Sequence, residues 1–337
     1  MKRKIFSILI IGTILIGALT GCNKSSESTG KEKLTVLRDA VMTGQLDQYA
    51  TEVGKWQGIF EKHGIDLQTT EFVAGINTID AVVSGTADIG MMADYAAVNR
   101  LGNTLNETNL KIFSELSGAG VQNGGLYVAA KYADKSKTLD GSEGFMTHTG
   151  TVSDYYISKA ISYLNLDEES QNIISTDSAS TQLSLAQSGK ASAVVSSGAN
   201  SAYLEQYGWK LLVPSKELGI ETGAYFLATD KFISENKEIL AEYLKAINES
   251  AKYINDNLDE VAKYLEGKLG IKADDFKLQW QTYVIKNGFS EEAAVHLEEI
   301  EKWAYKHKRF KEDYNIRDFI DTSVVEKAFP DNVTIKK

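Results

Sequence analysis

The spacing of apolar and polar positions changes along the chain, and each change marks an element. Residues 34–37 are a short aliphatic and β-branched run and predict a first strand. A polar stretch over 39–48 follows and is expected to be a loop. Tyr49, Val53, Trp56, Ile59 and Phe60 then recur at helical spacing, and His63-Gly64 ends that helix. Residues 65–73 predict a second strand. Gly75 opens a helix with Ile76, Ile79, Val82 and Val83 on one face, closed by Ser84-Gly85. A strand over 88–92, a helix over 95–101 and strands over 111–116 and 126–130 complete a first sheet.

A second unit starts near Lys131. It reads as a strand over 144–148, a Thr149-Gly150-Thr151 turn and a helix over 155–164, then a strand over 172–175 and a helix over 181–188. A strand over 191–196, a helix over 199–207 and a strand over 210–213 follow. A strand over 224–229 returns to the first unit. Beyond residue 237 the pattern is helical, over 237–257, 258–269, 274–286 and 291–308. Strands alternating with helices imply crossover connections and mostly parallel pairing. Open sheets of this kind bind ligands beyond the carboxyl ends of their strands, so the loops after the strands are the place to search.

The amino end belongs to no such element. Lys2, Arg3 and Lys4 precede an apolar stretch over 5–19. That length suits a secretory signal better than a span, which needs about 20 apolar residues. Leu19-Thr20-Gly21-Cys22 resembles a bacterial lipobox, which implies lipidation of Cys22, the only cysteine of the chain. Residues 1–21 are expected to be the signal, and the Ser-rich, charged residues 22–33 a tether. The body can form no internal disulfide, so its stability must come from a core. Its roughly 300 residues suffice for about two domains. The formal charge of −10 becomes about −13 when Lys2, Arg3 and Lys4 leave with the signal. A surface of that sign opposes nucleic acid and anionic lipid, while leaving the local field of a site open.

Three runs carry a family resemblance. Gly58-Ile59-Phe60-Glu61-Lys62-His63-Gly64-Ile65-Asp66-Leu67 is similar to a helix end that leads into a second strand. Ala81-Val82-Val83-Ser84-Gly85-Thr86-Ala87-Asp88-Ile89-Gly90 is similar to a helix, turn and strand. Thr138-Leu139-Asp140-Gly141, followed by Thr149-Gly150-Thr151 before Tyr155, is similar to a turn opening a second-lobe helix. Their order and spacing resemble the substrate-binding proteins of nitrate, sulfonate, taurine and thiamine-precursor ABC importers, over most of residues 34–310. The resemblance implies an α/β fold of the two-lobed, type II periplasmic-binding-protein kind. It would have mixed, mostly parallel sheets flanked by helices, two crossover strands and a helical carboxyl-terminal part. Residues 34–130 and 223–337 would form one lobe and 131–222 the other. It further implies a monomer, anchored to the membrane by lipid on the extracytoplasmic side, that hands a small molecule to a permease and its ATPase, with no cofactor and no metal. One departure stands out. Where the family's second lobe often carries a Trp- and Pro-containing segment, this chain has Ala193-Val194-Val195-Ser196-Ser197-Gly198-Ala199-Asn200, without a large stacking residue.

Helix starts expose backbone N–H groups and a partial positive charge, which suit sulfonate, carboxylate or phosphate. Gly75, Ile76 and Asn77 after the second strand, and Thr149, Thr151 and Ser153 in the second unit, are candidates on this ground. Ordinary capping explains the same residues. Asp39, Gln45 and Tyr49 follow the first strand, and Arg38 there offers either an anion contact or a partner for an acid. Ala93 and Asp94 sit at the lip after the third strand. Asp94, like Asp154, either meets a cationic group or caps its helix. If both acids faced the cleft, a zwitterion such as taurine would fit. Ser197 and Asn200 supply neutral hydrogen bonds.

An enzyme is the competing class. No nucleophile elbow, phosphate-binding loop or metalloprotease spacing is present. The glycines between Gly118 and Gly125 precede a strand, not a helix, and so do not make a nucleotide loop. His63, His148, His296 and His307 are scattered, and only His148 falls near the expected cleft. The chain is therefore read as a binder rather than an enzyme. A lipid-anchored enzyme of pyrimidine synthesis on the same fold is the alternative, and a thiamine-precursor pyrimidine is the alternative ligand.

Overall fold

The computed structural model describes residues 33–118, 124–134, 139 and 143–336. The signal, lipobox and most of the tether therefore lie outside the described residues.

The first part of the chain runs β1 (Thr35–Met42), α1 (Leu46–Trp56), α2 (Ile59–Lys62), β2 (Ile65–Phe72), α3 (Gly75–Val83), β3 (Ile89–Ala93), α4 (Asp94–Asn103) and β4 (Leu110–Gly118). The middle runs β5 (Gly124–Val128), β6 (Phe145–Thr147), α5 (Val152–Tyr163), β7 (Ile173–Ser175), α6 (Ala179–Gln187), β8 (Ala193–Ser197), α7 (Gly198–Gln206) and β9 (Lys210–Pro214). The last part runs β10 (Ala224–Thr229), α8 (Asp230–Asp256), α9 (Leu258–Leu269), α10 (Ala273–Trp280), β11 (Val284–Gly288), α11 (Glu291–Lys306) and α12 (Ser323–Ala328).

These strands build two sheets. The first has the order β11-β4-β10-β3-β1-β2 and the second β7-β6-β8-β5-β9. Pairing is parallel between β1 and β2, β1 and β3, β6 and β7, and β6 and β8. It is antiparallel where β5, β10 and β11 join their neighbours. The chain crosses from sheet to sheet twice, between β4 and β5 and again between β9 and β10. The architecture is the expected mixed α/β fold on two sheets with helices packed against them, but the pairing is not mostly parallel, because the crossing strands β5 and β10 and the late β11 all join antiparallel. The parts built on the first and second sheets are called the first and second lobes below.

Three sequence expectations are corrected. The strand over 126–130 does not complete the first sheet. As β5 it lies between β8 and β9 of the second, so the first crossing precedes it rather than following residue 130. An apolar run is equally at home in either sheet, and only its partners decide. The helix over 274–286 stops at Trp280, because Val284 and Ile285 pair with Gly118 and Ser117 of β4 as a further strand. Residues 39–42 are strand rather than loop. Their backbone pairs with Thr69–Phe72 throughout, and this carries Asp39 into the interior.

Helix α3 shows how the sequence aims an element at the cleft. Thr78 donates its hydroxyl to the Gly75 and Met91 carbonyls, each at 2.8 Å, which ties the start of α3 to β3. A side chain at Gly75 would bring its Cβ within 3.3 Å of the Met91 carbonyl oxygen, so glycine permits that approach. In the second lobe, Thr151 caps α5 by accepting from the Ser153 N–H at 3.2 Å. The first lobe's core is a single aromatic and aliphatic cluster that includes Phe60, Phe113, Phe226 and Tyr243. The second lobe buries smaller clusters, one around Phe145 and Ile161 and another around Met146 and Trp209.

Candidate functional site

The carboxyl ends of β1 and β3 and the starts of α3, α5 and α7 bound a cleft made of three cavities with shared wall residues. The first, about 560 Å³, is lined by Met42, Met91 and Ser117 from the first sheet and by Leu278 and Tyr283 from α10 and its exit. The second, about 540 Å³, lies among the starts of α3, α4 and α5 and is lined by Gly75, Asp94 and Thr151. Ala93 and Thr222 line both. The third, about 210 Å³, belongs to the second lobe, with His148, Gln182 and Asn200 in its wall. Ser197 joins it to the first.

The cleft gathers many of the residues singled out from sequence. Gln45 lines the first cavity, Gly75, Ile76, Asp94 and Thr151 the second, and Ser153, Ser197 and Asn200 the third. Ala93 stands between the first two. Asn77 and Thr149 are exposed and line none of the three. Tyr49 is buried beneath the first cavity. Its hydroxyl donates to Gln279 at 2.9 Å, and its ring meets Phe276 edge-on at 5.1 Å.

Asp39 does not reach the cleft. It is buried in β1 and accepts a 2.6 Å hydrogen bond from the Tyr243 hydroxyl. Burial pushes its carboxyl up to about 7, against the opposing pull of the Tyr243 bond and of Lys55. Arg38 is spent on Asp88, through Nε at 3.1 Å and through Nη2, and on the Gly85 carbonyl.

The two acids that would have held an ammonium are both engaged by the protein. Asp94 accepts from the Tyr95 N–H at 2.6 Å and the Gly223 N–H at 2.9 Å, and its Oδ2 lies 2.8 Å from Nε2 of His296. Burial draws the His296 imidazole down, but the bond to Asp94 and that carboxylate's charge leave it above its ordinary value. Asp154 accepts from Thr147, the Gly150 N–H and Arg309. The cleft thus presents helix starts, hydroxyls, amides and apolar walls, with Asp94 and Asp154 turned to structural use and the exposed Asp275 in the wall of the first cavity. Neither Asp94 nor Asp154 is left free to hold the ammonium of a zwitterion.

Sequence reasoning missed the carboxyl-terminal contribution. Gln279 and Tyr283 reach the first cavity from a region read only as helical scaffold. Gln279 donates to the Gly44 carbonyl at 2.9 Å and to the Tyr283 hydroxyl at 2.8 Å. A neutral amide between Phe276 and Trp280 was the one local signal. Thr222 carried none, since only the second crossing brings it there. Among the described residues no group of three or more His, Cys, Asp or Glu side chains is placed to hold a metal. No helix among them is long and apolar enough to cross a membrane.

Against this geometry, the likenesses to solved structures take a definite form. No protein-family model matches the chain, and no curated protein matches its sequence. The periplasmic aliphatic sulphonate binding protein SsuA from Escherichia coli superposes with a TM-score of 0.68 at 16% identity, over 86% of this chain and 98% of that one. The alkanesulfonate-binding protein SsuA from Xanthomonas axonopodis pv. citri, bound to MOPS, gives 0.63 at 13% identity, over 85% and 98%. The desulfurization enzyme DSZB gives 0.57 at 11% identity, over 88% and 99%. The chain therefore has the periplasmic binding protein fold. That fold serves both solute-binding proteins and an enzyme among its neighbours, so it is the cleft that must speak for function.

Proposed function

We propose that the chain is the extracytoplasmic, lipid-anchored solute-binding component of an ABC importer, and that it captures a small sulfonate-like anion between its lobes for delivery to the permease. The lobes would comprise residues 34–118 with 224–336, and 124–214, joined by the two crossings. The observation that carries the reading is the sharing of Ala93, Thr222 and Ser197 among three cavities, which makes one cleft walled by both sheets. The sulfonate-binding neighbours, one of them bound to MOPS, support the ligand class. The mechanism is hinge closure. A ligand touching both lobes binds the closed form more tightly than the open one, and so shifts the population toward it. The neutral donors of the second-lobe cavity, which no carboxylate lines, favour an anion there over an ammonium compound.

The test uses the full chain purified in mild detergent, with MOPS and short alkanesulfonates as probes. Saturation at 100 times the dissociation constant should stabilise the fold by about 2.7 kcal/mol, read as a raised melting temperature. X-ray scattering should show compaction with the same compounds. If no member of the panel shifts the melt, or if one of them is chemically converted, the solute-binding reading is wrong and the enzyme alternative takes its place.

A further inference from the structure

We propose that the second-lobe cavity is the receptor for the oxyanionic head of the ligand, with His148 as its central group, while the ligand's apolar remainder lies in the first cavity. This rests on the solute-binding reading and adds to it a division of labour between the two lobes.

Nε2 of His148 is buried and has no hydrogen-bond partner among the described residues, yet its side chain lines the cavity. A buried polar atom left unpaired costs about 1–3 kcal/mol, so at a cavity wall it favours a partner from the solvent side, water or ligand. The groups around it are neutral and able to donate: Ser153, Gln182, Ser197, Asn200 and Ser215. The side chains of Ser197, Asn200 and Ser215 are committed to no other hydrogen bond among the described residues. No carboxylate lines the cavity. Asp177 is exposed outside it and accepts from Thr181 and Ser178 instead. Several convergent donors with no acid among them suit a sulfonate, carboxylate or phosphate.

The first cavity has the opposite character. Its two amides are engaged internally, Gln279 by Tyr49, Gly44 and Tyr283, and Gln45 by the Tyr283 hydroxyl at 3.3 Å, and the exposed carboxylate of Asp275 in its wall would repel an anionic head. Met42, Leu46, Met91 and Leu278 make up much of the rest. At about 560 Å³ against about 210 Å³, it is also the larger space. A molecule with a small charged head and an apolar body fits the pair in one orientation, with Ser197 at the junction.

The experiment measures binding to the full chain, by calorimetry and melting, of four probes with one tail: hexanesulfonate, hexanoate, hexyl phosphate and hexanamide. Wild type should bind at least one of the three anions more tightly than the neutral amide. His148→Gln and Asn200→Ala should each weaken that anion about 10-fold or more, and leave hexanamide within about twofold. Asn200 is exposed at the start of α7, so its variant reports even if His148→Gln fails to fold. Anion affinity within twofold of wild type in every variant that folds overturns the head-group site and leaves the solute-binding reading standing. A preference for hexanamide likewise overturns the oxyanion assignment alone. If none of the four probes binds wild type, the reading on which the inference rests falls, and the inference with it.

Discussion

Arg309 donates through Nη2 to Oδ2 of Asp154 at 2.6 Å, and so ties the first lobe to the start of α5 in the second. Asp154 stands in the first turn of α5, where it also accepts from the Gly150 N–H at 2.7 Å. Arg309 follows α11 and lies over the Trp303 ring at 5.7 Å. Its side chain is 28% exposed and that of Asp154 only 7%, so solvent screens one end of the pair. Arg309→Met keeps the stem and removes the charge. The loss should be about 1–3 kcal/mol, below the value for breaking a fully buried pair. Urea denaturation of Arg309→Met, Asp154→Asn and the double variant checks it. A coupling energy near zero would show that the two residues act independently.

Helix packing in the first lobe makes a paired prediction. An added Cβ at Gly54 in α1 would lie 2.4 Å from both the Phe60 ring and Oγ of Ser250 in α8. At Gly267 in α9 it would meet nothing within 4 Å. Both substitutions to alanine gain helix propensity of up to about 1 kcal/mol. Overpacking at Gly54 costs about 1–3 kcal/mol, so Gly54→Ala should destabilise and Gly267→Ala should stabilise. Thermal melts that move in the same direction for both variants contradict the packing argument.

What the sequence disclosed follows from how far each signal reaches along the chain. The start of α3 was legible because glycine, helical periodicity and a following strand are neighbours in sequence. The same holds for Thr151 at the start of α5. The sheet to which β5 belongs was not legible, because its partners Ala193–Ser197 and Lys210–Pro214 lie more than 60 residues away. Asp39 was misplaced for a related reason. A charged residue ended the apparent strand at residue 37, while its hydrogen-bond partner, Tyr243, is 204 positions distant. The same remoteness hid Gln279 and Thr222. His148 was recognised as near the cleft, but its unpaired nitrogen is a fact of packing that no spacing records.

The proposed anchor can be tested without reference to the fold. Cys22→Ser removes the only thiol available for lipidation. With export intact, the variant should leave the membrane fraction and appear in the soluble extracytoplasmic fraction. One acyl chain binds membranes only marginally, so stable anchoring requires the multiple chains of a lipidated amino terminus. Retention of a cleaved Cys22→Ser protein on membranes would count against the lipobox.

Tyr49 supports the first cavity from below. Tyr49→Phe keeps the edge-on contact with Phe276 and removes only the bond to Gln279. Gln279 retains its donations to Gly44 and Tyr283, so the side chain should loosen rather than leave. The expected cost is about 0.5–1.5 kcal/mol of stability, with a weaker effect on alkanesulfonate affinity. A large loss of affinity with unchanged stability would place Tyr49 in direct contact with the ligand instead.

Asp39 and Asp47 set a pH dependence that runs opposite to that of ordinary carboxylates. Both are buried, and each has an Oδ1 without a partner among the described residues. Burial raises Asp39 to about 7, and burial together with the charge of Asp39 raises Asp47 to about 8. The Tyr243 hydroxyl and the Met42 N–H, bonded to the Oδ2 atoms, pull the other way without prevailing. Unfolding returns both groups to the ordinary value near 3.8. Between that value and 7 to 8 the folded chain therefore holds more protons than the unfolded one, and stability falls as pH rises through this window. Asparagine at either position is neutral at every pH and keeps an oxygen for the existing donor. Asp39→Asn and Asp47→Asn should therefore match or trail wild type near pH 4, and exceed it by more than about 1 kcal/mol at pH 8. Denaturation of wild type and each variant across that range decides the matter. A variant whose difference from wild type does not change between pH 4 and pH 8 would mean that its aspartate is already ionised in the folded protein, with Tyr243 or Met42 outweighing burial.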